Sequence, residues 1–230
     1  MNGILLVDKP AEWTSMDVCA HLRGVLHEKH IGHTGTLDPN ATGLLVVLVG
    51  KATKLARFLE ADEKVYEARM RPGLVTDTQD IWGNTLSGAS WQYDPDRLEE
   101  ALAAFRGPID QLPPMYSAIK RKGKKLYEIA RRGGEVERDP RPIVIHELTC
   151  TGIGEDGDIL LRIRCSKGTY IRTLCHDIGA ALGCGACMSA LRRTAAGRFS
   201  LSDAHTLEEI RERGEELLLP PELLPERTDV

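Results

Sequence analysis

The sharpest chemical feature of the sequence is a carboxylate displayed by a glycine-rich loop. Gly32-His33-Thr34-Gly35-Thr36-Leu37-Asp38-Pro39 sets Asp38 between an apolar residue and a proline. Glycine lets backbone approach a ligand closely, and proline stiffens the turn that carries the acid. A carboxylate so displayed can be a nucleophile, a base or a metal ligand. Taken alone, an ordinary Asp-Pro turn is the commoner explanation. His33 lies in the same loop. The glycine spacing is loosely that of a phosphate loop, but without the Gly-Lys-Ser/Thr ending.

Two other clusters carry reactive groups. Ser166-Lys167-Gly168-Thr169-Tyr170-Ile171-Arg172 joins a strand to a helix and combines a cation, an aromatic ring and a guanidinium. Arginine suits a buried carboxylate because its planar fork pairs bidentately. Lys64-Val65-Tyr66 at a strand start could set Tyr66 over a nucleobase, although a tyrosine there is as often plain core. Cys184-Gly185-Ala186-Cys187 has metal or redox spacing, and Cys175 and His176 could complete such a site. One CxxC is thin support when zinc takes about four ligands. Small buried residues at a helix end explain it more simply.

These groups need a frame. Residues 3–7 and 44–49 are apolar runs that fit buried strands, and 64–71 fits another. Thr14 and Ser15 can cap a helix near 16–28, with Val18, Cys19, Leu22, Val25 and Leu26 on one face. Residues 30–43, rich in glycine, are expected to be loop. Short helices are expected at 52–60, 95–105 (capped by Asp94), 171–182 and 206–213. Residues 142–151 and 158–165 fit paired strands, and 189–193 and 198–201 fit short ones. The basic segment 120–125 is expected to be a mobile loop leading into a helix over 125–132, ended by Gly133-Gly134. Strands outnumber regular βαβ units. The expected class is therefore α+β, with a mixed, largely antiparallel central sheet flanked by helices and loops.

Composition sets limits. At 230 residues the chain can bury a substantial core. No apolar run approaches the roughly 20 residues of a membrane helix. The first residues lack a basic segment and break their apolar run at Asp8, so no signal peptide is expected and cytoplasm is the default. The six cysteines are then expected to stay reduced. The formal net charge of −4 looks wrong for a nucleic-acid binder, but its distribution does not. Residues 203–230 hold nine acids against three bases, whereas residues 117–142 hold nine Lys/Arg against four acids. Clustered charge makes an RNA-binding field, although a solvated basic face has the same composition.

Together these segments resemble the tRNA pseudouridine-55 synthase (TruB) family. The matching stretches are Leu6-x-Asp8-Lys9-Pro10, the Gly32–Asp38 loop continued through Pro39-x-Ala41-x-Gly43-x-Leu45, and Lys64-x-Tyr66. Gly73-x-x-Thr76-Asp77-Thr78-x-Asp80 and Pro113-Pro114-x-x-Ser117-Ala118-x-Lys120 follow. The series ends with Ser166 to Arg172 and Leu191-Arg192-Arg193-Thr194-x-x-Gly197. They stand in family order and span the chain to about Leu207.

The resemblance implies a pseudouridine-synthase-like fold and isomerisation of uridine to pseudouridine in the T-arm loop of tRNA. It makes Asp38 the essential carboxylate, and Tyr66 the aromatic that stacks on the target uracil and removes the C5 proton. Arg172 becomes the ion-pair partner of Asp38. Tyr170 supports the nucleotide, Leu191 lines the pocket and His33 helps hold the opened RNA loop. Lys9 and Lys54 fall at positions of structural or backbone contact, and Lys122, Lys124 and Lys125 are expected to meet phosphates. No cofactor or metal is implied, and the expected partner is tRNA alone, bound by a monomer.

The expected organisation is a catalytic domain over 1–212, with its basic RNA-binding loop at about 117–142. An acidic, proline-containing tail over 213–230 would follow, without a full C-terminal RNA-binding domain. Arg71-Pro72 before Gly73 also departs from the family pattern, where an apolar residue is usual. Other possibilities are an RNA-guided, dyskerin-like synthase, a non-catalytic tRNA-folding module and a zinc enzyme built on Cys184 and Cys187. Activity of the isolated protein, loss of Asp38 and metal analysis separate them.

Overall fold

The structure, a computed structural model, describes residues 1–59, 63–117, 120–121, 124–126, 129, 134 and 136–220. Its first elements are β1 (Gly3–Lys9), α1 (Ser15–Val25), β2 (Ile31–Thr34), β3 (Thr42–Val49), α2 (Ala56–Leu59) and β4 (Lys64–Pro72). Then come β5 (Leu74–Thr76), β6 (Thr85–Gly88), α3 (Pro95–Ala103), β7 (Gly107–Gln111), β8 (Lys120–Arg121) and β9 (Lys124–Lys125). The last are β10 (Arg141–Ile153), β11 (Ile159–Cys165), α4 (Ile171–Ala181), β12 (Ala186–Ala196), β13 (Phe199–Ser200) and α5 (Leu207–Arg213). The class is α+β, with mostly antiparallel pairing. Among the described residues no helix is long and apolar enough to cross a membrane.

The chain divides into two compact units, Met1–Tyr66 with Leu191–Val230, and Glu67–Ala190. Both boundaries fall inside strands, β4 and β12.

In the first unit β3 is central. It pairs antiparallel with β1 from Gly3↔Val49 to Lys9↔Gly43, antiparallel with β2, and parallel with β12 at Arg192↔Thr42 and Arg193↔Gly43. Alternate residues of a strand face opposite sides, so an uninterrupted apolar run needs cover on both. Leu5, Val7, Leu45, Val47 and Val49 pack with Val18, Cys19 and Leu22 of α1 and with Leu207 and Ile210 of α5. Ile4, Leu6, Leu44, Val46 and Leu48 pack on the other side with Ala52, Leu59 and Phe199. Gly43 permits the parallel approach of β12. It has φ +96°, and a Cβ there would stand 2.3 Å from the Arg193 carbonyl oxygen.

In the second unit β10 lies between β7 and β11, antiparallel to both. Asp94 caps α3 as expected, its carboxylate accepting from the amides of Asp96 and Arg97. α4 buries Leu174, Cys175 and Ile178.

Several expectations need correction. Residues 30–43 are not all loop. Ile31–Thr34 forms β2, because pairing with β3 outweighs the low strand preference of its glycine. α1 stops at Val25, short of residue 28, because the chain turns left-handed at His27 (φ 50°). The segment at 120–125 is not simply loop either. Lys120 and Arg121 pair with Lys125 and Lys124, a register that a run of like charge does not announce, since like charges directly opposite are unfavourable. β12 is much longer than residues 189–193. Most of the helix expected over 125–132, the glycine stop at 133, Lys122 and residues 221–230 lie outside the described residues.

Candidate functional site

Asp38 is held from both sides through its neighbours. On one side, Ser15 Oγ accepts from the Leu37 amide (2.9 Å) and donates back to the Leu37 carbonyl (3.2 Å). On the other, Lys9 Nζ donates to the Pro39 carbonyl (2.9 Å) and also to those of Pro10 and Trp13. The Ala41 amide closes the turn onto the Asp38 carbonyl (3.0 Å). Farther back, Arg193 Nη2 donates to the Gly35 carbonyl (2.9 Å) while its Nε holds the Leu44 carbonyl. Thr14, not Ser15, caps α1, which leaves the Ser15 hydroxyl for the loop.

Lys9 is fully buried, and its ammonium is committed to three carbonyls. This geometry favours the structural of the two roles its position implied. Burial pushes its pKa down to about 8, partly offset by Asp38. Replacing it with methionine leaves three carbonyls without their donor. We expect Lys9→Met to lose about 2–4 kcal/mol of stability in urea unfolding. The folded-state value lies below the ordinary 10.5, so the folded chain binds this proton less tightly than the unfolded chain. The lysine's contribution therefore rises with pH between about 8 and 10.5. Over that window the stability gap between wild type and Lys9→Met should widen.

The other residues of this unit are placed as follows. Burial and the nearby Arg193 guanidinium lower the pKa of His33. Its Nδ1 is buried with no hydrogen-bond partner among the described residues. Lys64, Tyr66, Ala68 and Met70 form the inward face of β4, and Tyr66 is 8 % exposed. Leu191 is buried at the same level. Beside it on β12, Arg192 forks onto both oxygens of Asp8 (3.1 and 2.7 Å). Lys54 is exposed on the 3-10 turn Gly50–Leu55.

In the second unit Arg172 opens α4, 5 % exposed. Its Nη1 donates to the Thr78 carbonyl (3.0 Å), its Nη2 to that of Tyr116 (2.9 Å), and its Nε stands 3.9 Å from the Asp80 carboxylate. The turn around residues 76–84 is built for this grip. Thr76 Oγ1 donates to the Asp80 carbonyl and Thr78 Oγ1 to the Asp80 carboxylate. Gln79 is tied to Thr173 of α4 (2.7 Å) and to the Met188 amide (3.0 Å). The backbone of Tyr170, one residue before α4, is clasped at both polar groups by the Gln111 side chain. Lys124 and Lys125 lie on β9.

Sequence reasoning gives no site role to Ser15, Gln111, Asp80 or Arg193. Asp80 and Arg193 stand within the motifs that carry the family resemblance, and Ser15 reads as a cap. Nothing in the sequence marks Gln111. Among the cysteines, burial pushes the Cys187 thiol up to about 11 and the Cys175 thiol higher still.

The structure thus combines an α+β frame with an acid whose glycine-rich loop is anchored on both sides. The chain belongs to the TruB family of pseudouridylate synthases, whose N-terminal domain matches residues 23–171. The tRNA pseudouridylate synthase B C-terminal domain matches residues 172–225. The sequence is similar to tRNA pseudouridine synthase B of Alkaliphilus oremlandii, 49 % identical over 96 % of this chain and 74 % of that protein. It is 51 % identical to the same-named protein of Azoarcus sp. over 90 % of this chain and 69 % of that one. The fold resembles a chain in the crystal structure of a Cbf5-Nop10-Gar1 complex, with TM-score 0.75 and 30 % identity. That match covers 96 % of this chain but only 60 % of the other.

Proposed function

We propose that the protein isomerises uridine to pseudouridine at position 55, in the T-arm loop of tRNA, with Asp38 as the reacting carboxylate. The observation that carries this reading is the double clamp on Leu37 and Pro39, which fixes the residue between them. Preorganised geometry of this kind lowers the cost of reaching a transition state. The target nucleotide must first leave its stack, at a cost of a few kcal/mol. Tyr66, Tyr170 and Leu191 receive the base. His33, with a buried nitrogen that lacks a partner among the described residues, contacts the opened RNA loop. Asp38 adds to C6 of the uracil or to C1′ of the ribose. On either route the C1′–N1 bond breaks, the uracil turns, C5 joins C1′, the bond to Asp38 breaks to return the free carboxylate, and N1 takes up a proton from water. Tyr66 then takes the proton from C5. No step requires oxidation or phosphate transfer. The protein works as a cytoplasmic monomer on tRNA, without an obligatory protein partner.

Arg172 is the proposed ion-pair partner of Asp38. Its burial and the two carbonyls that hold its guanidinium suit it to pairing with a carboxylate, and the structure sets that of Asp80 beside its Nε. An ammonium cannot reach both carbonyls and also offer a fork. Arg172→Lys should lower kcat roughly a hundredfold, with a smaller change in KM. Activity within a few-fold of wild type would argue against the pair.

Lys122, Lys124 and Lys125 are proposed to meet phosphates. Neutralising all three should weaken tRNA binding, leaving turnover at saturation largely intact. The salt slope of binding should fall by about one for each phosphate that is no longer neutralised. An unchanged slope would show that these lysines meet no phosphate.

The proposal as a whole is tested with a T-arm stem-loop carrying tritium at C5 of the target uridine. Purified protein should release the label to water, and should release none when another T-arm uridine carries it. Release only when a guide RNA or second protein is added would favour the RNA-guided alternative.

A further inference from the structure

The turn that grips Arg172 also carries an indole that the fold leaves in solvent. Trp82 is 51 % exposed. Its backbone is nevertheless firmly set. The Ile81 amide donates to the Met188 carbonyl (2.9 Å), the Trp82 amide to the Asp80 carboxylate (3.2 Å) and the Gly83 amide to the Asp80 carbonyl (3.3 Å). Asn84 binds both oxygens of Asp77. At Gly83 a Cβ would stand 2.2 Å from Thr78 Oγ1, so the turn next to Trp82 is tightly closed. Nearby, Leu86 is 66 % exposed. It falls at the register shift between Val75↔Ser87 and Thr76↔Thr85, where β6 holds one extra residue.

Isolated apolar residues on a surface are ordinary. A large aromatic on a rigid turn is less so, because burying it later costs little conformational entropy. The turn's two acids would repel RNA if they were unpaired. Instead, the Asp77 oxygens accept from Asn84, and Asp80 is engaged by Thr78, the Trp82 amide and Arg172. These neutral donors fix the two carboxylates without removing their charge, Arg172 offsets that of Asp80, and the exposed indole is the apolar surface the turn offers a ligand. Every nucleobase offers a π-face to such a platform.

We infer that Trp82 is a stacking platform for an unpaired nucleobase of the substrate RNA, adjacent to the Arg172 site. This rests on the proposed RNA substrate but adds a contact outside the catalytic groups. The test follows indole fluorescence while a T-arm stem-loop is titrated into the full-length protein. In Trp13→Phe/Trp91→Phe, which leaves Trp82 as the sole indole, saturating RNA should quench emission by more than half. The difference in quenching between wild type and Trp82→Ala gives the same readout without the double variant. Trp82→Ala should raise KM about tenfold with kcat within about twofold, and Trp82→Phe should restore most of the loss.

No quenching, together with an unchanged KM in Trp82→Ala while wild type makes product normally, would overturn the inference. So would a Trp82→Ala protein that binds RNA normally but sediments as a smaller species than wild type, since the surface would then belong to a second copy of the chain. If wild type makes no product at all, the parent reading fails, whereas quenching still reports whether RNA stacks on Trp82.

Discussion

Asp38→Asn should fold as wild type, bind tRNA with similar affinity and form no measurable pseudouridine. The bonds that shape its loop run through the backbone of Leu37, Pro39, Ala41 and Gly35, so the amide replacement leaves them in place. What it removes is the carboxylate proposed as nucleophile. Removing a nucleophile outright costs enzymes of other classes about six orders of magnitude in kcat. A fall of roughly 10⁴-fold or more is therefore expected here, at least about 5.4 kcal/mol of transition-state stabilisation. Thermal unfolding and filter binding check the first two statements, and single-turnover product formation the third. Product at a few per cent of the wild-type rate would mean that another group does the chemistry.

Tyr66→Phe should have the second largest effect. The ring lies on the inward face of β4, so phenylalanine keeps its packing and its stacking surface while losing the hydroxyl. If that oxygen receives the C5 proton, product formation should slow by about 10²–10⁴-fold, the usual range for a lost general base. RNA affinity should change by less than about threefold. Turnover within a few-fold of wild type would move the proton acceptor elsewhere.

Much of this frame is legible in the sequence, for identifiable reasons. Residues 44–49 read as a strand because both faces of β3 are covered, which demands an unbroken apolar run. Asp94 and Thr14 announce helix starts by chemistry that acts within three residues. Local reading fails where distant contacts decide. β2 exists because β3 lies beside it. β6 is exposed along its whole length, so no alternation marks it. The Asp38 loop is visible in its glycines and proline, but its anchors are not. Ser15 lies 22 residues from Leu37, and Arg193 lies 158 residues from Gly35. Local pattern cannot reveal such partners. The division into two units is hidden for a related reason, since its boundaries cut through β4 and β12 rather than through linkers.

The central claim is that this chain, alone, converts one uridine in the T-arm of tRNA. Chemical mapping of pseudouridine in unmodified whole tRNA, incubated with the purified protein and no other macromolecule, addresses it most directly. The account predicts one new pseudouridine, at position 55, reaching about one per tRNA with wild type and absent with Asp38→Asn. Pseudouridine at other positions only, or none while the folded protein still binds the tRNA, would contradict it.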